Sequence, residues 1–581
     1  MNPCKMSARR APFLLASLLA GAGVLGAADD ANTTKTAAPS GVTASATQPQ
    51  NDEIARLKAA LAEQQKQLQA MQEVLRNQQQ LIEKAVGIPA VSQHPSLGEV
   101  ASLSPMIPSP APLPVSIASP RPQAPAGGGS SNPCEAAPDG NAVPPYLRLG
   151  SVCVVPVGFM DFTPFWRDKN AHSSMGSNFG SVPYNNTANG NLSEFHFSEQ
   201  NSRLGFRVDG DWKGTHFIGY NEFDFNGTSG ATNLAVNNGA IVPRLRLFWL
   251  DVRKGKVEFL AGQSWSLLTP NRKGLSALPG DLMYTQVIDI NYMAGLTWSR
   301  QPGLRVLIHP NKTVTFGLSV EQADQYMGGS GGGGAIVLPT ALAGLSSTQL
   351  DTGANISASG SGYLNQPAFT PDFIAKIAFD PGSRFHFEVG GVSSSFRTTS
   401  LGAPFTSHGT SGAGLLVGGQ LEVVKNTRLV TTNFWTDGDG RYLFGEAPDL
   451  IVRADGSLSP IHAAGTIDGI EQTVRNTLLY AYYGGIFIDR NTALDANGTS
   501  PIGYGYKGSA NSQNRAIQEL TFGFNQTIWK NPRYGAVNVM GQYEWLQDSP
   551  WYVAPGAPKG THDNTIYMNV RYTLPGSMPN F

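Results

Sequence analysis

Charged residues recur at every second position through the middle of this chain. Arg203, Arg207 and Asp209 alternate with Leu204, Phe206 and Val208, and Glu222 and Asp224 alternate with Phe223 and Phe225. Arg244 and Arg246 alternate with Leu245, Leu247 and Trp249, and Arg305 sits among Leu304, Val306 and Ile308. Successive side chains of a strand point to opposite faces, so each segment carries one charged face and one oily face. Guanidinium groups gathered on one face can replace the water around an anion and select for it. The same Arg, Glu and Asp set can also form a ladder of cross-strand ion pairs that keeps a wall wet and rigid. The two roles are compatible.

Other chemistry is weakly signalled. Gly328-Gly329-Ser330-Gly331-Gly332 matches the text of a nucleophile elbow. That motif needs a strand, a sharp turn and a helix, with a His and a carboxylate serving the Ser. Here it lies in a glycine run, so no enzyme is expected. The nine His are scattered, with no pair four apart on a helix and no Cys beside them, so neither a zinc site nor another cofactor is indicated. Asp437-Gly438-Asp439-Gly440 would suit a calcium loop, but no following Glu completes it, and a turn is the simpler reading. A net charge of −1 gives no case for nucleic acid.

The elements that must position the charged faces are strands. From residue 147 to the C-terminus the alternation keeps restarting, as in Phe385, Phe387 and Val389, in Leu520, Phe522 and Phe524, and in Ile566, Met568, Val570 and Tyr572. Between the last four stand Thr565, Tyr567, Asn569 and Arg571, a mostly polar set. No stretch after the N-terminus has the roughly 20 apolar residues of a spanning helix. About sixteen such segments predict an all-β fold, a 16-stranded antiparallel transmembrane β-barrel with lipid outside and water inside. A soluble β-solenoid is the rival that composition allows. In a barrel, Arg or Lys on the lipid face costs roughly 2–4 kcal/mol at mid-membrane, which turns the charged faces inward.

Short turns are expected at Trp212-Lys213-Gly214, Lys254-Gly255, His309-Pro310-Asn311, Asp380-Pro381-Gly382, Lys425-Asn426 and Lys530-Asn531-Pro532, with a further hairpin at Gly484-Gly485. Long breaks are expected at 168–194, 226–240, 266–289, 322–367, 397–411, 437–472, 491–514 and 547–561. The break at 266–289 either folds inward and narrows the bore or forms an exposed surface loop. All nine Trp follow residue 147, and Trp166, Trp212, Trp529 and Trp545 fall near strand ends, where an aromatic girdle would place them.

Residues 1–28 read as a signal peptide, with Lys5, Arg9 and Arg10 before the apolar run from Phe13 to Leu25 and a small-residue site at Gly26-Ala27-Ala28. A retained anchor is the alternative, and the run is short for a span. Residues 29–50 are polar and aperiodic, a disordered leader. Over 51–86, Ile54, Leu61, Leu68, Leu75 and Ile82 fall seven apart, with Leu57, Gln64, Met71, Gln78 and Ala85 in the second seam position. This predicts a periplasmic α-helical coiled coil, against the alternative of a lone amphipathic helix. Residues 87–146 form a linker rich in Pro, Ser and Gly, and 147–581 form the barrel domain. In an exported chain, Cys134 and Cys153 are expected to join the linker to the first strand as a disulfide. Two unpaired small residues are the alternative.

Several of these segments resemble motifs of the DcaP-like outer-membrane porins. They are Ser202-Arg203-Leu204-Gly205-Phe206, Arg244-Leu245-Arg246-Leu247, Gly262-Gln263-Ser264-Trp265-Ser266 and Arg300-Gln301-Pro302-Gly303-Leu304-Arg305. The layout of signal, coil, Pro-containing linker and barrel is similar too, although the linker and long loops are larger than that family leads one to expect. The resemblance implies a homotrimeric porin for passive uptake of small organic anions such as dicarboxylates. It implies Arg203, Arg244, Arg246, Arg300 and Arg305 as pore-side residues. Counting by twos from Leu296 and Trp298 turns Arg300 outward unless Pro302 marks a bulge. The implied partners are outer-membrane lipid, further copies of the chain and small anionic solutes. The competing function is an envelope tether, in which the coil binds the cell wall or a periplasmic partner and the barrel is an anchor.

Overall fold

The computed structural model describes residues 146–171, 173–227, 242–329, 332–342, 370–399, 406–531 and 533–577. The signal, leader, coil, most of the linker and Cys134 lie outside the described residues. Sixteen strands close one barrel. They are β1 (Val152–Arg167), β2 (Arg203–Trp212), β3 (Thr215–Gly227), β4 (Val242–Lys254), β5 (Val257–Trp265), β6 (Arg300–Ile308), β7 (Val314–Glu321) and β8 (Asp372–Phe379). The second half comprises β9 (Phe385–Thr399), β10 (Ser407–Val424), β11 (Thr427–Asp437), β12 (His462–Val474), β13 (Thr477–Ile488), β14 (Asn514–Asn531), β15 (Gly535–Pro550) and β16 (Thr561–Thr573).

Each strand pairs antiparallel with the next, for example Arg203 opposite Asp224 and Phe373 opposite Ser393. The ring closes where β1 meets β16, with Phe159 opposite Thr573 and Arg167 opposite Thr565. Short strands at Leu147–Leu149 and Glu194–Ser198 extend the pairing of β1. Closure leaves no long open edge, which is how an antiparallel sheet satisfies its backbone in an apolar solvent.

Every second side chain builds the exterior. Phe206, Phe248, Leu318, Phe373, Phe522 and Val570 are each 50–60 % exposed. A continuous apolar belt of this kind is stable only against another apolar medium. Trp212 and Trp529 lie exposed beside short turns, and Trp166 near the opposite, long-loop end of β1.

Three expectations about the strands are corrected. Leu247 and Trp249 do not face outward: they are 0 % and 4 % exposed, and Phe248 and Leu250 take the outer face. The register slips between Glu222 and Phe223, which pair with Leu247 and Leu245 and leave Arg246 as an extra residue. One bulged residue inverts the alternation downstream. Nor does the chain turn at Gly484-Gly485. Val474 pairs with Thr477, so the hairpin is at Arg475-Asn476 and both glycines lie within β13. The strand expected to be loop, β12, has small residues on its inner face (Ala463, Gly465, Gly469), which makes its alternation faint. The break at 397–411 likewise shrinks, since β9 runs to Thr399 and β10 starts at Ser407.

The segment joining β5 to β6, residues 266–299, enters the barrel. Its backbone N–H groups donate to inner-face side chains around the ring: Leu267 to Glu321, Asn271 to Glu388, Ile288 to Gln542 and Ala294 to Glu519, at 2.7–3.2 Å. Arg272 forms an ion pair with Glu471 at 3.1 Å. The glycines of β13 make room for it, since a Cβ on Gly484 would stand 2.3 Å from the Ala294 carbonyl oxygen. Inside, the segment pairs with residues of the loop between β11 and β12, Gly295 N–H donating to the Phe444 carbonyl and Trp298 N–H to Tyr442.

Candidate functional site

The site lies where this inward segment meets the inner faces of β2, β3, β4 and β6. Arg203, Asp224 and Arg244 form one cross-strand row, because Asp224 of β3 is opposite Arg203 on one side and Arg244 on the other. Arg246, two residues on from Arg244 and only 1 % exposed, shares this face. Asp224 accepts from Arg244 through both oxygens at 3.0 and 2.6 Å, and from Arg246 at 2.8 Å. Glu222 accepts from Arg246 at 2.8 Å and lies 3.9 Å from Arg203.

Arg300 enters the site by an irregularity other than the one expected. The register runs straight through Pro302, opposite Gln263. Gly262 and Ser299 instead adopt φ of +128° and +116°, and Arg300 stands opposite Trp265 at the end of the pair. Its guanidinium lies 5.2 Å from the ring centre of Trp265 and 6.0 Å from that of Trp298. No carboxylate pairs with it among the described residues. A planar cation held on aromatic faces keeps its edge donors for another acceptor.

Three aromatic rings cap the group. Trp265 and Tyr284 have centroids 4.9 Å apart, and Tyr284 stacks on Tyr292 at 5.2 Å. The Tyr292 phenol oxygen accepts from Arg203 at 2.9 Å and from Arg246 at 3.0 Å. Burial alone would raise this phenol, but Arg203, Arg246 and Arg300 together hold it below its ordinary value. Four arginines face two carboxylates here, leaving two positive charges in excess.

The structure thus joins Arg203, Glu222, Asp224, Arg244, Arg246 and Arg300. Arg207 stands apart, bound to Asp209 at 2.7 Å in a second charged group with His216. Arg305 faces inward and donates to the Trp265 carbonyl. Sequence reasoning missed Tyr292 and Tyr284, since loop residues carry no periodic signal. It also passed over Arg571, a member of the polar face of β16, which pairs with Asp161 at 2.6 Å and lies 3.9 Å from the ring centre of Phe159. Arg203 meets that ring at 5.2 Å. Cys153 is buried in β1. Asp437 lies 3.3 Å from His462, and Asp439 pairs with Arg441 at 3.4 Å.

No family model matches the chain, and no curated protein matches it. Solved structures do. The outer membrane channel DcaP of Acinetobacter baumannii superposes with a TM-score of 0.52 at 17 % identity, covering 73 % of this chain and 97 % of that one. The anion-selective porin from Comamonas acidovorans gives 0.40 at 12 % identity over 73 % and 99 %. OmpT of Vibrio cholerae gives 0.39 at 11 % over 74 % and 99 %. The likeness to DcaP establishes the fold: this is a sixteen-stranded barrel of the porin type.

Proposed function

We propose that the chain is an outer-membrane porin for passive diffusion of small hydrophilic solutes, with a preference for organic anions such as dicarboxylates. The observation that carries this reading is the arginine group, two positive charges in excess, set inside a barrel whose exterior is apolar. Arg300, set against indole rings and without an acidic partner among the described residues, supplies the donor edge for a carboxylate. Assembly as a homotrimer, removal of residues 1–28 and a periplasmic coil at 51–86 belong to the same proposal. So does a bond between Cys134 and Cys153, which alkylation mass spectrometry tests: one linked peptide pair is expected, and two alkylated thiols reject it.

Planar-bilayer recording tests the function. Purified protein is expected to give stepwise conductance and, under a potassium chloride gradient, a reversal potential of the sign for anion preference. Absence of steps, or a cation-favouring potential, rejects the reading.

A further inference from the structure

The Tyr292 hydroxyl makes the contacts a solute carboxylate would make. Its oxygen accepts from two guanidinium groups, on β2 and β4, and donates to nothing among the described residues. The backbone is held to deliver it there. Tyr292 has φ of +63°, a left-handed conformation that is uncommon for a non-glycine residue. The turn behind it is pinned by Asp289, whose carboxylate accepts from the Asn291 N–H at 2.7 Å and the Ser177 N–H at 3.0 Å. The Tyr292 N–H donates to the Asp289 carbonyl at 3.1 Å.

We infer that Tyr292 is the internal competitor of the solute, its phenol oxygen holding the place of a carboxylate oxygen between Arg203 and Arg246 until a carboxylate displaces it. The inference rests on the anion reading above and names the residue that sets the threshold for binding. A carboxylate brings a full charge and two oxygens to donors that a neutral phenol meets with one, so it wins the exchange. Chloride, lacking the paired oxygens, gains less from it. The groups facing the phenol are Arg203 of β2, Glu222 of β3, Arg246 of β4, Arg300 of β6 and Tyr284 of the same segment. As the phenol ionises it becomes a stronger competitor, and solute binding weakens.

Succinate block of the chloride current in planar bilayers is the test, with wild type, Tyr292→Phe and Arg300→Gln compared. Tyr292→Phe keeps the ring and loses the competing oxygen, so half-block is expected at a succinate concentration about tenfold lower, equivalent to about 1.4 kcal/mol. Arg300→Gln is expected to weaken block. The pH profile supplies a second measurement: block should weaken as pH rises from about 7 toward the ordinary tyrosine range near 10, and more steeply in wild type than in Tyr292→Phe. If Arg300→Gln weakens block while Tyr292→Phe leaves it unchanged and the wild-type pH profile matches that of Tyr292→Phe, the competitor is overturned and anion binding stands. If neither variant changes block, the anion reading falls, and this inference with it.

Discussion

Two sides of the barrel interior bury ionisable groups in opposite ways. On β2, β3, β4 and β6, arginines outnumber carboxylates, and the cations are held by acids, rings and one phenol. On β14 and β15, carboxylates are met mainly by neutral donors. Glu519 accepts from the Ala294 N–H at 2.8 Å and the Thr521 hydroxyl at 3.0 Å, and Glu544 accepts from the Ser177 hydroxyl at 2.6 Å. Two of these bonds come from loops, Ala294 in the 266–299 segment and Ser177 in the loop after β1, so the acidic side is a clamp on both. The basic side keeps donor capacity in excess. Buried charge alone therefore does not mark a functional site; the balance of partners does.

The comparison predicts unequal responses. Arg246→Gln should be the most damaging change, because it leaves Glu222 and Asp224 buried with less compensation, a loss of about 3–5 kcal/mol. Thermal melting should show it, together with a reduced anion preference in reversal potential. Glu222→Gln should cost about 2–3 kcal/mol through its bonds to charged donors, yet increase anion preference, since the positive excess grows. A fall in anion preference would break the assignment of this side as the selective one.

Asp289 sharpens the contrast. Burial raises it above the ordinary carboxylate range, while bonds from Ser177 and Asn291 and the charge of Arg167 pull it back. The folded state thus holds this proton more tightly than the unfolded chain. Its stabilising contribution is complete below the unfolded value of about 3.9 and is lost as pH rises through the folded value. Hydrogen exchange at residues 286–296, corrected for intrinsic rates, should report a weaker turn at neutral than at acid pH. Asp289→Asn should reduce that dependence. Glu544→Gln should be the mildest, within about 1 kcal/mol in melting, because an amide oxygen still accepts from Ser177. A loss as large as that of Arg246→Gln would erase the distinction between the two sides.

Much of this was legible in the chain. Bulky alternation in β2, β6, β14 and β16 placed the strands, and the sign cost of lipid exposure turned Arg203, Arg244 and Arg305 inward. The reading failed where bulk was missing or the count slipped. The inner face of β12 is small, so the hairpin was set nine residues too far along. The bulge at Arg246 inverted Leu247 and Trp249. Arg300 was suggested only through resemblance, and straight counting pointed it the wrong way.

Period-two patterning, local to each strand, settled the barrel, its outer belt and the inward side of most charges, because a side chain's face depends only on its parity within the strand. Tertiary structure alone decided that residues 266–299 cross the interior and bring Tyr292 to Arg203 and Arg246. That contact joins positions 89 and 46 residues apart, and it depends on a left-handed turn and on glycines of a strand far along the chain. No local pattern encodes such a meeting.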